Sequence, residues 1–254
     1  MKNIIFTALI CFTGISNLQA QSVSAEEIIS QINRGEDVLY ENLKITGVLD
    51  FTALENQKQV KKGGGWFSSG DAKFESQVDV KIEFINCTFE DDVLAYYNVD
   101  NAIYEADFKD NVIFKDCVFK EKSEFKYSKF SNIAMFSECI FEEIANFKYA
   151  EFSRGPDFSN SKFEEEANFK YSKFEDSPDF ALATFNDDAN FKYADFPYGV
   201  SFESVTFERL ANFKYSKFSE PLNMESINFK GSEDFKYTEI DGQSFTTYLL
   251  KTKN

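Results

Sequence analysis

The tripeptide Phe-Lys-Tyr occurs six times, beginning at Phe125, Phe147, Phe169, Phe191, Phe213 and Phe235, and each start follows the last by 22 residues. An interval kept through six copies without a slip means that each copy is one coil of a solenoid. A single insertion would carry every later Phe away from its partners in the neighbouring coils.

Within each unit the apolar positions recur at a finer interval. Phe147, Phe152, Phe158, Phe163, Phe169, Phe174, Phe180, Phe185 and Phe191 are separated by 5 and 6 residues in alternation. An amphipathic helix would place apolar residues at i+3 and i+4, whereas here the residue two before each Phe is small: Ala145, Ala150, Pro156, Ser161, Ala167, Ser172, Pro178 and Ala183. A small residue at i−2, a polar one between (Asn146, Glu151, Asp157, Lys162) and Phe at i form a period-2 strand of minimal length. The two or three residues left over turn the chain, and four strand-and-corner units complete one coil.

Units such as Ala-Asn-Phe-Lys-Tyr at 145–149 and 189–193 resemble the pentapeptide-repeat family, whose pattern is a small residue, Asp or Asn, Leu or Phe, then two exposed residues. The resemblance covers roughly Ile103 to Ile240. It implies an all-β fold, a right-handed quadrilateral β-helix. Two departures are the near-constant Phe at the centre and a sixth residue in every second unit, which imply a coil slightly wider than the family's usual square.

The remaining segments divide the chain. Residues 1–20 read as a secretory signal: a basic Met1-Lys2-Asn3 start, an apolar run from Ile4 to Ile15 too short to span a bilayer, and Leu18-Gln19-Ala20 offering a small residue for cleavage. The expected location is therefore periplasmic or extracellular, with no transmembrane segment in the mature chain. Residues 21–37 hold a short capping helix, because Ser24-Ala25-Glu26-Glu27 is a capping-box pattern before Ile28, Ile29 and Ile32, and Gly35 follows as a stop.

Residues 38–102 read as irregular first coils, with Leu39, Ile45 and Phe51 in one and Val78, Phe84 and Phe89 in the next. Insertions fall at 54–77 and about 90–97. The regular solenoid spans 103–240, and 241–254 form a C-terminal cap or tail. Phe245, Tyr248, Leu249 and Leu250 suit a lid over the last coil, or a face joining two rods end to end.

Cys87, Cys117 and Cys139 fall in one interior column continued by Ser161, Ala183 and Val205, so small inward residues account for them, although adjacent coils bring two thiols within disulfide range. Outside, Lys148 and Tyr149 have equivalents in six coils, and the next corner alternates in sign through Lys129, Glu151, Lys173, Asp195, Lys217 and Glu239. Glu142, Glu143, Glu164, Glu165, Glu166, Asp187, Asp188 and Glu208 gather on a corner expected opposite the Lys-Tyr one, as solvated acid or as a calcium site.

The formal net charge is −16 and there is no His, which removes Ser-His and Cys-His pairs; no glycine-rich phosphate loop is present, so no catalytic residue, cofactor or metal ligand is assigned. The resulting expectation is a non-enzymatic exported scaffold for an unknown protein or cell-envelope partner, with no nucleic acid partner. A calcium-dependent carbohydrate-active β-helix enzyme and an acidic DNA mimic are the alternatives. The candidate interaction residues are Trp66 and Phe67, on the Gly63-Gly64-Gly65 insertion, with Tyr96 and Tyr97 on the second.

Overall fold

The computed structural model describes residues 21–60 and 72–247. Strands of mostly two residues stack in parallel into four faces. One is a nine-stranded sheet, one eight-stranded and one eleven-stranded. The remaining face comprises a four-stranded and a two-stranded sheet, joined through single bridges from Met135 to Asp157, Asp179 and Ser201. In the regular part each residue pairs with the one 22 positions on, as in Ala145 with Ala167 and Asn168 with Asn190. The corners hold alternately two and three residues, which is how units of 5 and 6 close a 22-residue coil.

The interior is a set of phenylalanine columns. Phe119, Phe141, Phe163 and Phe185 lie parallel at 4.7–4.8 Å, and the column through Phe147 and Phe169 packs edge-on against the one through Phe158 and Phe180. Each ring is thus stacked along the axis and met edge-to-face across it, the two geometries that the aromatic quadrupole favours. Full burial contributes about 1.5–3 kcal/mol per ring. Small residues at i−2 leave room for these rings. Where they carry hydroxyls or thiols, those groups donate to carbonyls of the preceding coil, as Ser172 does to Phe147 and Ser216 to Phe191.

The N-terminal end is closed by the helix Ala25–Asn33, capped by Ser24, whose Oγ accepts the Glu27 N–H. Ala25, Ile28 and Ile32 are buried on the first coil. At the other end Phe245 stacks on Phe235 at 4.0 Å, while Leu222, Met224 and Phe229 stay only partly covered. Tyr248, Leu249 and Leu250 lie outside the described residues.

Leu39 does not point inward as its spacing suggested. It is 56% exposed, and Val38 and Tyr40 hold the interior phase, paired with Ile82 and Phe84. The second insertion also begins later than expected. Val93 pairs with Ser123 and Ala95 is fully buried, so 90–95 still form an ordinary corner and strand, and the extra residues leave the coil from Tyr96.

One corner has no slack. A Cβ added at Gly155 would stand 2.1 Å from the Ser177 carbonyl oxygen in the next coil. Gly155→Ala is expected to cost about 1–3 kcal/mol through forced displacement of that coil. A thermal melt identical to that of the parent would show that the corner can give way.

Candidate functional site

Two surface features depart from a plain rod, and the first is the Lys-Tyr corner. The side chains of Asn146, Asn168, Asn190 and Asn212 accept the backbone N–H two residues on, at 3.1–3.3 Å, which fixes the lysine at the start of each turn. The turn closes by a bond such as Ala150 N–H to the Phe147 carbonyl. Its second central residue is Tyr, held at φ 62 or 63 in Tyr127, Tyr149, Tyr171, Tyr193, Tyr215 and Tyr237.

A left-handed conformation costs a residue bearing a Cβ about 1–2 kcal/mol. The Tyr rings stack at 4.7–4.8 Å, which returns about 0.5–1.5 kcal/mol per pair. The two effects nearly cancel. The other left-handed corner carries Glu138, Asn160, Leu182, Ser204 and Ser226, so the backbone itself does not demand Tyr.

The second feature is built from the two insertions, which do not loop out separately. Strands Lys58–Val60 and Ala72–Val78 form one antiparallel hairpin, and Tyr96–Val99 and Ala102–Phe108 another. The inner strands then pair in parallel along seven residues, from Ala72 with Ala102 to Val78 with Phe108. The product is a four-stranded blade projecting from one face of the rod. The second hairpin turns through Asp100 and Asn101, both at positive φ, as a tight two-residue loop between twisted strands requires.

Alternation assigns the blade's two faces. One carries a row of three stacked rings, Phe74 on Tyr104 at 4.9 Å and Tyr104 on Tyr97 at 4.5 Å, all half-buried. Burial, and then the Asp50 charge, push the Tyr97 phenol above its ordinary pKa, while its hydrogen bond with Thr52 opposes them. The other face carries Lys73 between Glu75 and Glu105, at 2.8 and 2.9 Å. Glu105 is so enclosed that burial raises its carboxyl pKa despite the lysine. Tyr96 lies on this second face and meets the corner ladder, its ring 5.7 Å from Tyr127 and its hydroxyl accepting from Lys126 Nζ at 2.9 Å.

Tyr96 and Tyr97 are therefore neighbours in sequence on opposite faces of one sheet. Trp66 and Phe67 lie outside the described residues. Phe74 and Tyr104 escaped the sequence pattern; the missed signal was Asp100-Asn101 between Tyr96-Tyr97-Asn98-Val99 and Ala102-Ile103-Tyr104, a hairpin signature.

The acidic corner is adjacent to the Lys-Tyr corner across the Asn face, not opposite it, because corners follow one another around the coil and 164–166 precede 170–171 by a single strand. Its carboxylates hold cations of their own: Glu164 with Lys162, Asp187 with Arg209 and Glu208 with Lys230. Among the described residues no group of three or more His, Cys, Asp or Glu side chains is placed to hold a metal ion. On the next corner Glu151 takes both neighbours, Lys173 at 2.7 Å and Lys129 at 3.8 Å. Cys87, Cys117 and Cys139 form the expected column as free buried thiols, with Cys139 Sγ donating to the Phe114 carbonyl; burial pushes Cys87 up to about 11, which keeps it unreactive at neutral pH.

Parallel coils around an aromatic core, with side-chain ladders outside and a projecting blade, define a β-solenoid repeat scaffold. The family sequence model described as "Pentapeptide repeats (9 copies)" matches residues 103–151, 125–173 and 169–217, all within the regular coils. The chain belongs to the pentapeptide-repeat family. No curated protein and no solved structure matches it.

Proposed function

We propose that this chain is an exported, non-enzymatic scaffold that holds a protein or cell-envelope partner at the blade. The observation that carries this is the convergence of the only two breaks in the coil count. The insertions are far apart in sequence, yet they pair into one sheet bearing Phe74, Tyr104 and Tyr97 in a half-buried row. The rod needs no such sheet to close its coils. Aromatic rings stacked on a rigid projecting surface are the usual composition of an interaction hot spot. Trp66 and Phe67 belong to the first of these insertions and would extend the surface. Support for export comes from the basic start and apolar run of residues 1–20, and support for a non-catalytic role from the absence of His.

Partner capture from envelope extract, with the protein immobilised, tests the proposal. The double variant Tyr97→Ser, Tyr104→Ser is expected to weaken capture at least about thirtyfold, as loss of a hot spot does, with the regular coils still protease-resistant. Capture equal to that of the parent would place the partner elsewhere on the rod. Detection of the chain only in the cytoplasm would refute export.

A further inference from the structure

The corner lysines Lys126, Lys148, Lys170, Lys192, Lys214 and Lys236 form a row along the rod, one per coil, each ammonium 4.9–5.5 Å from the ring of the Tyr that follows it. Among the described residues, none of the six takes part in an ion pair. Elsewhere on the same rod lysines are paired, Lys162 with Glu164, Lys173 with Glu151 and Lys230 with Glu208. The uncompensated row has a cost. Burial, then the like charges of Lys126 and Lys170, hold the Lys148 ammonium below its ordinary pKa. A chain of net charge −16 thus keeps an unpaired positive edge beside a Tyr ladder that adds little net stability.

We propose that the Lys-Tyr edge is a rail for a linear acidic polysaccharide, a uronic-acid chain lying parallel to the rod axis with one carboxylate against each lysine. The spacing of the rungs selects this occupant. Tyr centroids repeat at 4.7–4.8 Å, the spacing of stacked strands, and an extended uronic-acid chain carries one carboxylate per sugar ring at a closely similar interval. An extended acidic peptide brings carboxylates to one side only every second residue, roughly 6.6 Å apart. A duplex DNA strand presents a phosphate about every 3.4 Å. Neither keeps step with the coils.

The edge also has the shape of a sugar site. Tyr149, Tyr171, Tyr193 and Tyr215 line a groove of about 510 Å³ with Lys173 and Lys217, offering ring edges to sugar C–H groups and phenols to hydroxyls. The adjacent acidic corner is partly neutralised by its own cations, and salt at physiological strength screens charges beyond about 8 Å. The lysines therefore govern the local field. This inference concerns the regular coils and does not depend on the blade.

Affinity electrophoresis through gels containing polygalacturonate, dextran or poly-glutamate tests it. The protein is expected to be retarded by polygalacturonate and not by dextran, with poly-glutamate distinctly weaker. Lys148→Gln, Lys170→Gln and Lys192→Gln together should lower the polygalacturonate affinity about tenfold, as loss of roughly 1.4 kcal/mol of binding would. The corresponding Arg triple should restore it, and neither triple should shift the melting temperature. The Tyr97→Ser, Tyr104→Ser variant should migrate as the parent does, separating rail from blade. Equal mobility in polygalacturonate and dextran, unchanged retardation of the Gln triple, or equal retardation by poly-glutamate would each overturn the proposal.

Discussion

Phe169→Ala is expected to lower stability by about 3–5 kcal/mol, the cost of a cavity that stacked neighbours cannot refill. Phe169 is fully buried, lies parallel to Phe147 at 5.1 Å and to Phe191 at 5.0 Å, and meets Phe158 and Phe180 edge-on. Its truncation breaks a column in the middle, and each flanking ring is held by neighbours of its own, so collapse into the void would propagate strain along the rod. Lys170→Ala, one residue on, should cost no more than about 0.5 kcal/mol, because that side chain is outward and makes no ion pair. Chemical denaturation of both variants measures the difference. Equal losses would mean that the inward phase of the repeat is wrong.

A single residue inserted between Ala189 and Asn190 should be more damaging still. Ala189 and Phe191 point inward together because one residue separates them; two residues between them force one outward. Turning Phe191 out would sacrifice its stacks with Phe169 and Phe213 and expose a ring worth several kcal/mol, on the order of 3–5. The same insertion between Asp100 and Asn101 lengthens a hairpin tip outside the coils and should cost about 1 kcal/mol or less. Limited proteolysis separates the two: the strand variant should be degraded through the regular coils, and the hairpin variant should keep them intact. Comparable resistance would contradict a coil register fixed by period 2.

The parts of this architecture that were legible share one property: their determinants are local and repeated. The small-polar-Phe triplet states which way each side chain faces, and 22-residue spacing states which residues are neighbours, so the Phe columns, the cysteine column and the Lys-Tyr ladder follow from counting. Ser24 and Glu27 mark the helix start for the same reason.

Leu39 was misplaced because the first coil uses Val38 and Tyr40 where later coils use a small residue and Phe, and a run of three apolar residues has no phase of its own. The blade was hidden for a different reason. Each hairpin is local, but the pairing of Ala72 with Ala102 joins segments whose relation depends on both insertions leaving the same corner of successive coils. Nor does Tyr advertise a left-handed turn, a conformation that sequence patterns associate with Gly and Asn. The repetition of Tyr there is visible in sequence, while its backbone cost is visible only in the structure.

The coil register admits a direct measurement. Outward residues Asn168 and Asn190 are partners on adjacent coils, whereas Asp179, midway between them in sequence, lies on another face. Asn168→Cys with Asn190→Cys should be joined rapidly by a short thiol-bridging reagent under native conditions, with Cys87, Cys117 and Cys139 buried and unreactive. Asn168→Cys with Asp179→Cys should not be joined. Bridging of the second pair, or its failure in the first, would contradict a four-sided coil of 22 residues.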